Sequence, residues 1–534
     1  MLDVLLAGAE NQENLGIRYL AAVLRGHGYT TGISGFEGSA DLPRVLAAVE
    51  AQRPRLIGLS IIFQFSAGDF LDLAAQLRRH GYRGHIALGG HFPSFEHQRI
   101  LADHPAVDSV VCFEGEFTLL ELVANLERPE KWEGIAGLAF RHNGRVVATP
   151  PRPLLRDLDE LPFPVRDGGV KEHLGVRFAA LLGSRGCFHS CAFCSIGAFY
   201  HRSGGPPQRM RSVGNLVDEM AMLHRDFGVE MFIFNDDEFF DLRPAYREPR
   251  TDSFIAELEQ RGLAPKMFVK CRASDVDVDS FRRLRDAGLI RAYVGIESGA
   301  AHALDVFGKR TTVEENRRAV LALKQLGILA DFNLLMFNPY TTLEDVAEDM
   351  AFVEELAGDG SVPVSIARME VYSGTPIQSR LASEGRLMGD YRAWDYQILD
   401  PRVELLFRQL LAAMQRRNYH PEGLTKTAIQ AYYELLIFRH FYPDGYDERL
   451  AGELARLVAR LNRHSVAVVR RLAREADRGD IYDVAAVNRR TIAVAMETNG
   501  VDAELEVRLR RWRERLHRRV AALRGQRTRW EVMA

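Results

Sequence analysis

The sequence predicts an α/β chain in three parts: a doubly wound parallel sheet over residues 1–127, a (β/α)6 partial barrel over 176–385 and an α-helical domain over 386–534. Three observations lead there. Short apolar runs alternate with amphipathic helical stretches through the first part, a second such alternation begins near residue 176, and the strand pattern stops after about 385.

In the first part the strand candidates are Leu2 to Ala7, Thr30 to Ser34, Leu56 to Ile62, His85 to Leu88 and Asp108 to Cys112. Between them Leu20, Val23 and Leu24, and Phe70, Leu71, Ala74 and Leu77, recur at helical spacing. Ligands of such sheets lie beyond the carboxyl ends of the strands. Residues 128–175 read as a linker, with a hairpin around Asn143-Gly144 followed by the proline-punctuated PRPLLRDLDELPFPVRD.

The barrel strands are expected at Arg177 to Gly183, Val229 to Asn235, Lys266 to Cys271, Ile290 to Ile296, Asp331 to Phe337 and Pro363 to Glu370. Helices fill the gaps, such as Ser212 to Phe227 with Leu216, Val217, Met220 and Leu223 on one face. Chemistry in such barrels sits on the loops at the carboxyl ends of the strands. Beyond residue 385, arginine-rich amphipathic helices such as DERLAGELARLVARLNRHSVAVVRRLAREA read as a cap with a solvated face, an anion-binding surface being the alternative.

Length, 47% hydrophobic and 26% charged residues describe a soluble globular protein of several domains. A net charge of -3 supplies no basic field for nucleic acid, and no apolar run approaches the ~20 residues that span a bilayer. The N-terminus reads as a first strand of a cytoplasmic protein rather than a secretory signal.

Three of the five cysteines fall within eight residues, in LLGSRGCFHSCAFCSIGAFY, which points to a metal in a reducing compartment. Cys187, Cys191 and Cys194 have the spacing C-x3-C-x2-C on the loop after the first barrel strand. Structural zinc would need a fourth ligand, and His189 is only two residues from Cys187 and Cys191, where bridging one ion would strain the loop. A four-iron cluster held by three thiolates instead leaves one iron open to a chelating cosubstrate. Cys112 and Cys271 each end an apolar stretch and read as buried small hydrophobes.

On this motif, with Phe193 just before its last cysteine, residues 175 to 390 or so resemble the radical S-adenosylmethionine (SAM) superfamily. The resemblance implies a 4Fe-4S cluster on Cys187, Cys191 and Cys194 whose free iron is chelated by SAM, and reductive cleavage of SAM to a 5'-deoxyadenosyl radical. It further implies SAM contacts from Phe193, from Asp236 and Asp237 of FIFNDDEF for the amino group, from Arg272 for the carboxylate, and from Glu297 and Ser298 of YVGIESG for the ribose or methionyl part. Acidic acceptors suit an ammonium, and the guanidinium fork suits a carboxylate. Barrel-mouth capping is the competing role for each polar strand-end residue. LLMFNPYTTLED and MEVYSGTPIQSRLASEGRL resemble the fifth and sixth strand segments of members with an N-terminal cobalamin domain, although Asn338-Pro339 departs from the usual glycine-proline form.

The first part in turn resembles the flavodoxin-like, cobalamin-binding domain of that subgroup, through ENLGIRYLAAVL, GLSIIFQFS, ALGGHFPSF and VVCFEGEFT at successive strand ends. The cobalamin contacts implied are Asn14, Gly16, Ser60, Phe63, Gly89, Gly90, His91, Glu114 and Gly115, the small residues allowing close approach to a flat ring. No Asp-x-His-x-x-Gly occurs, so bound cobalamin would lack that axial histidine.

What this resemblance implies as the favoured activity is methylation of an unactivated carbon or phosphorus of a small-molecule or peptide substrate, with flavodoxin or ferredoxin as electron donor. A radical oxidation, rearrangement or bond formation without methyl transfer is the second reading. An RNA- or peptide-binding module built on the C-terminal helices is the third, against which the near-neutral charge argues. Arginine far outnumbers lysine, as in GC-rich bacterial genomes, and this points loosely to specialised metabolism.

Overall fold

The computed structural model describes the chain apart from Met1, Gln12, Leu242, Asp480 and Ala534, and apart from the side chains of Pro244 and residues 526–533. Strands β1 (Val4–Gly8), β2 (Thr31–Gly35), β3 (Leu56–Ser60), β4 (His85–Gly89) and β5 (Ser109–Val111) lie parallel in the order β2-β1-β3-β4-β5. Their near-continuous apolar runs suit strands covered by helices on both faces. Register pairs Gly8 with Ser60, Ser60 with Gly89 and Gly89 with Val111, so the carboxyl ends form one row.

The Asn143-Gly144 hairpin is not part of a free linker. Its strands β6 (Leu138–His142) and β7 (Arg145–Ala148) extend the sheet antiparallel to β5, giving seven strands. Phe140 and Ala139 are buried in the process, and the exposed edge of β5 gains a partner.

The second sheet begins inside the expected linker too, with the short edge strand β8 (Lys171–His173) antiparallel to β9 (Val176–Leu181). A two-stranded clip, β10 (Ser184–Arg185) with β11 (Arg209–Met210), brackets the cysteine segment. The barrel continues through β12 (Met231–Phe234), β13 (Lys266–Arg272) and β14 (Leu289–Gly295). The fifth expected strand is broken into β15 (Leu329–Asp331) and β16 (Leu334–Phe337), and β16 pairs with β17 (Ile366–Arg368) while Leu334 bridges to Glu297. Strand structure does not end at 385, because β18 (Met388–Asp390) and β19 (Ala393–Asp395) form a small hairpin whose Tyr391 carbonyl accepts a hydrogen bond from Gln64 of the first domain at 3.1 Å.

Four helices follow: Pro401–Tyr419, Leu424–Phe441, Glu448–Arg478 and Val484–Met533. The helix Leu424–Phe441 packs Ala428, Tyr432 and Leu435 against Val176, Met231 and Phe268, closing the barrel from one end. The last helix is fixed by Trp512, fully buried, whose indole N–H donates to the Leu450 carbonyl at 2.9 Å.

First domain and barrel are joined by buried charges. Arg166 pairs with Glu13 at 2.6 Å and with Glu219 at 2.9 Å, Arg211 pairs with Glu219 at 2.5 Å, and Glu13 also accepts from the Ala180 amide at 2.8 Å. Buried ions are tolerated only when paired and hydrogen-bonded in this way.

Candidate active site

The cysteine segment leaves β10 through Gly186, at φ 83°, where a Cβ would stand 1.9 Å from the Pro207 carbonyl oxygen, so only glycine fits the turn. The Gly186 amide donates to Asp237 at 3.1 Å. The loop is then held at its middle, where the Ala192 amide donates to Phe307 at 2.7 Å and the Ala192 carbonyl accepts from Ile377 at 2.9 Å. Phe193 meets the Phe307 ring edge-on at 5.3 Å. Cys194 caps the helix Ser195–His201.

Cys191 is buried, Cys187 and Cys194 partly so. Burial pushes the Cys187 thiol up to about 11 and the Cys194 thiol up to about 12, so a metal would have to displace their protons on binding. Among the described residues no three His, Cys, Asp or Glu side chains are gathered closely enough to grip one ion. In a four-iron cluster each thiolate would take a different iron. The surroundings are cationic: burial first, and then the charges of Arg272, Lys309, Arg310 and Arg247, push the His189 imidazole down to about 4. Positive groups of this kind offset the charge of an anionic thiolate-ligated cluster.

Arg272, at the end of β13, is buried with its Nη1 3.8 Å from the Cys191 sulfur, and its Nε has no partner. Its guanidinium also donates to the Lys309 carbonyl. Lys309 Nζ lies 2.8 Å from Glu297, a residue held at φ 65° where β16 bridges to it. Asp237 is exposed at the mouth with one oxygen free of the Gly186 amide. Phe193, Asp237, Arg272 and Glu297 therefore lie on loops around the cysteines.

Two other expected SAM contacts are used internally. Asp236 is fully buried and accepts from the Ser184 hydroxyl at 2.6 Å and the Gly183 amide at 3.1 Å, so it ties β12 to the start of the cysteine segment. Burial raises its carboxyl to about 6 against those donors. Ser298 is also fully buried: its hydroxyl donates to Asp349 at 2.7 Å and accepts from the Ala300 amide at 3.0 Å. In this structure both side chains are buried and engaged within the barrel mouth.

At the first domain, Asn14 caps the helix Leu15–Gly26 by accepting from Ile17 at 3.3 Å, and its buried Nδ2 has no partner. Ser60 and Gly89 stand in the row of strand ends. Gly90 has φ 105°, and a Cβ there would be 2.4 Å from the Ile61 carbonyl oxygen. Ile62, Phe63 and Phe65 are exposed beside it, Phe63 by 53%, an apolar surface that the edge of a corrin ring would cover. Gly16 lies in the first helical turn and Gly115 caps the helix Glu116–Ala124. The orphan amide, the exposed aromatics and the glycine turn fit a large planar ligand. Glu114 ties the domains together, Arg209 holding both its oxygens at 2.9 Å and Arg185 adding a contact at 3.2 Å.

His91 links the two halves. It stacks on Phe199 with ring centroids 4.1 Å apart, and its Nδ1 is 3.4 Å from the Ser195 hydroxyl, one residue beyond Cys194. Burial pushes the imidazole down to about 4, so it is neutral near pH 7. Sequence reasoning missed Lys309 and the Arg185/Arg209 clamp; the lysine lies in a Gly-Lys-Arg run, the only local signal for it. Cys112 and Cys271 are buried as expected.

Residues 3–123 match the B12 binding domain, and residues 181–353 match the radical SAM superfamily. The chain is 27% identical over 397 residues to an uncharacterized methyltransferase of Pyrococcus horikoshii, covering 73% of this chain and 83% of that protein. It is 29% identical over 433 residues to an anaerobic magnesium-protoporphyrin IX monomethyl ester cyclase of Rubrivivax gelatinosus, covering 78% and 74% respectively. Its fold superposes on the cobalamin-dependent S-adenosylmethionine radical enzyme OxsB with aqua-cobalamin and SAM bound, with TM-score 0.65, 19% identity, and 97% of this chain and 84% of that one covered. Among the described residues no helix is long and apolar enough to cross a membrane. The chain thus joins a B12 binding domain to a radical SAM domain, the two domain families whose cofactors are cobalamin for the first and a 4Fe-4S cluster with SAM for the second.

Proposed function

We propose that the protein transfers a methyl group from SAM, by way of cobalamin, to an unactivated carbon or phosphorus of a small-molecule substrate, with electrons from a flavodoxin or ferredoxin in the cytoplasm. The observation that carries the reading is the His91 contact: the row of strand ends proposed to hold cobalamin abuts the helix that follows Cys194. Methyl donor and radical source must reach one substrate atom, so their sites must share a cleft. The cluster supplies the electron that splits the sulfonium, and cobalamin the methyl group.

In this reading Cys187, Cys191 and Cys194 hold the cluster and Arg272 lies against it. Asp237 and Glu297 face the SAM ammonium and methionyl part, with Lys309 fixing the Glu297 carboxylate. Asn14, Ser60, Gly89, Gly90, His91 and the Phe63 surface form the cobalamin side. Asp236 backs the mouth by holding Gly183 and Ser184 at the start of the cysteine segment.

A non-methylating radical reaction is the second reading, favoured by the similarity to the Rubrivivax cyclase. Anaerobic incubation of the reconstituted protein with SAM, cobalamin, reductant and candidate substrate distinguishes them. Methyl transfer yields S-adenosylhomocysteine beside 5'-deoxyadenosine; 5'-deoxyadenosine and turned-over substrate without S-adenosylhomocysteine would remove the methyltransferase reading.

A further inference from the structure

The barrel encloses a cavity of ≈ 420 Å³ beneath the mouth, within the range of small-molecule sites. Strand register arranges its wall in layers. Ala180, Ile233, Phe268 and Arg291 are mutual neighbours in one layer. Lys270 pairs with Tyr293 in the next, two residues and therefore roughly 6.6 Å closer to the mouth residues Arg272 and Gly295. Tyr433 of the helix Leu424–Phe441 also lines the cavity.

The charges of this wall do not cancel. Arg291 is neutralised by Asp331, His173 faces Glu434 at 3.2 Å, and Glu13 is held by Arg166. Lys171 lies on the Glu10 and Asn11 carbonyls at 2.6 Å each, with no carboxylate in contact. Among the described residues Lys270 has no hydrogen-bond acceptor and no carboxylate within 4.0 Å; Asp237 and Asp236 act on its ammonium only from farther off. Its strand partner Tyr293 accepts a 3.3 Å contact from Asn333, which leaves the phenolic proton available as a second donor. Phe178 and Phe268 add flat apolar walls.

We propose that this chamber binds the substrate by an anionic group, a carboxylate or a phosphate, held by the Lys270 ammonium and the Tyr293 hydroxyl, with an aromatic or other flat apolar body between Phe178 and Phe268. An ammonium left in a partly buried cavity without a counter-ion gains most from a ligand that brings one. Lys270 and Tyr293 are paired across adjacent strands, whose backbones lie about 4.8 Å apart, and both line the cavity, so one anion can accept from both side chains. The inference rests on the proposed function only in naming the ligand a substrate.

Its test needs neither cluster nor SAM, so its failure is distinct from failure of the methyl-transfer reading. Calorimetric titration of the full-length protein would compare 1-naphthyl phosphate, 1-naphthoate and uncharged 1-naphthol. One of the anions is expected to bind about ten-fold or more tightly than naphthol, the scale of a charge-assisted hydrogen bond, and the anion that gains more identifies the group. Lys270→Met should abolish that preference while naphthol affinity holds, Lys270→Arg should retain it, and Tyr293→Phe should reduce it. Anions binding no tighter than naphthol to the unaltered protein, or a preference that survives in Lys270→Met, would overturn the proposal.

Discussion

Ser298 shows how a single hydroxyl can read as a ligand contact while serving the scaffold. It accepts from Ala300 and donates to Asp349, whose carboxyl is raised to about 7 by burial against the Ser298 and Gly299 donors. Ser298→Ala should cost about 1–3 kcal/mol by leaving Asp349 a donor short, read as a lower urea midpoint. SAM cleavage per folded molecule should stay close to the parent's; a collapse of cleavage at unchanged stability would return Ser298 to the cofactor site. Asp236 teaches the same lesson, because a polar residue at a strand end looks alike in sequence whether it meets a ligand or a neighbouring amide. The cysteines were legible since their spacing is local, whereas Lys309 meets Glu297 only through the fold. Lys270 is legible only in the fold for another reason: its inward position in β13 depends on the phase of the strand, which no local signal fixes.

Elements were legible wherever a long apolar run or a turn signal marked them. Asn143 and Gly144 adopt φ of 49° and 75°, the left-handed pair a two-residue hairpin needs, yet nothing local says that the hairpin would dock on β5. Three-residue β8 is too short to show a period, and the break between β15 and β16, which pair with different strands, leaves no mark in the apolar run. The turn from β4 into its helix is the element with the least tolerance. Gly90→Ala would set a methyl against the Ile61 carbonyl at a φ that disfavours it, at a cost of about 1–3 kcal/mol. The variant should retain less cobalamin after desalting, measured by absorbance, with iron content unchanged. Full retention would dissociate this turn from the cobalamin surface.

Across the whole molecule, Glu434 binds three parts together. With 0% of its side chain exposed, it accepts from Arg513 at 2.6 and 2.9 Å and meets His173 at 3.2 Å and His517 at 3.1 Å, joining the barrel edge and the last helix to Leu424–Phe441. Burial alone would raise its carboxyl, but the hydrogen bonds from Arg513 and His173 and the charges of Arg513 and His517 bring it down to about 2. A depressed carboxylate stabilises the fold above its unfolded value and loses that contribution as the pH falls toward the folded one. Glu434→Gln should therefore be less stable by on the order of 3 kcal/mol near pH 7, with the gap closing between about pH 4.5 and 2 in urea titrations. A gap independent of pH would assign the loss to packing instead. The quartet of Glu13, Arg166, Glu219 and Arg211 has a different consequence for motion. Four charges sealed from water cannot separate by even a few ångströms without stranding one another. A hinge between the two large domains is thereby foreclosed, and admission of reactants falls to side chains and short loops around a rigid frame.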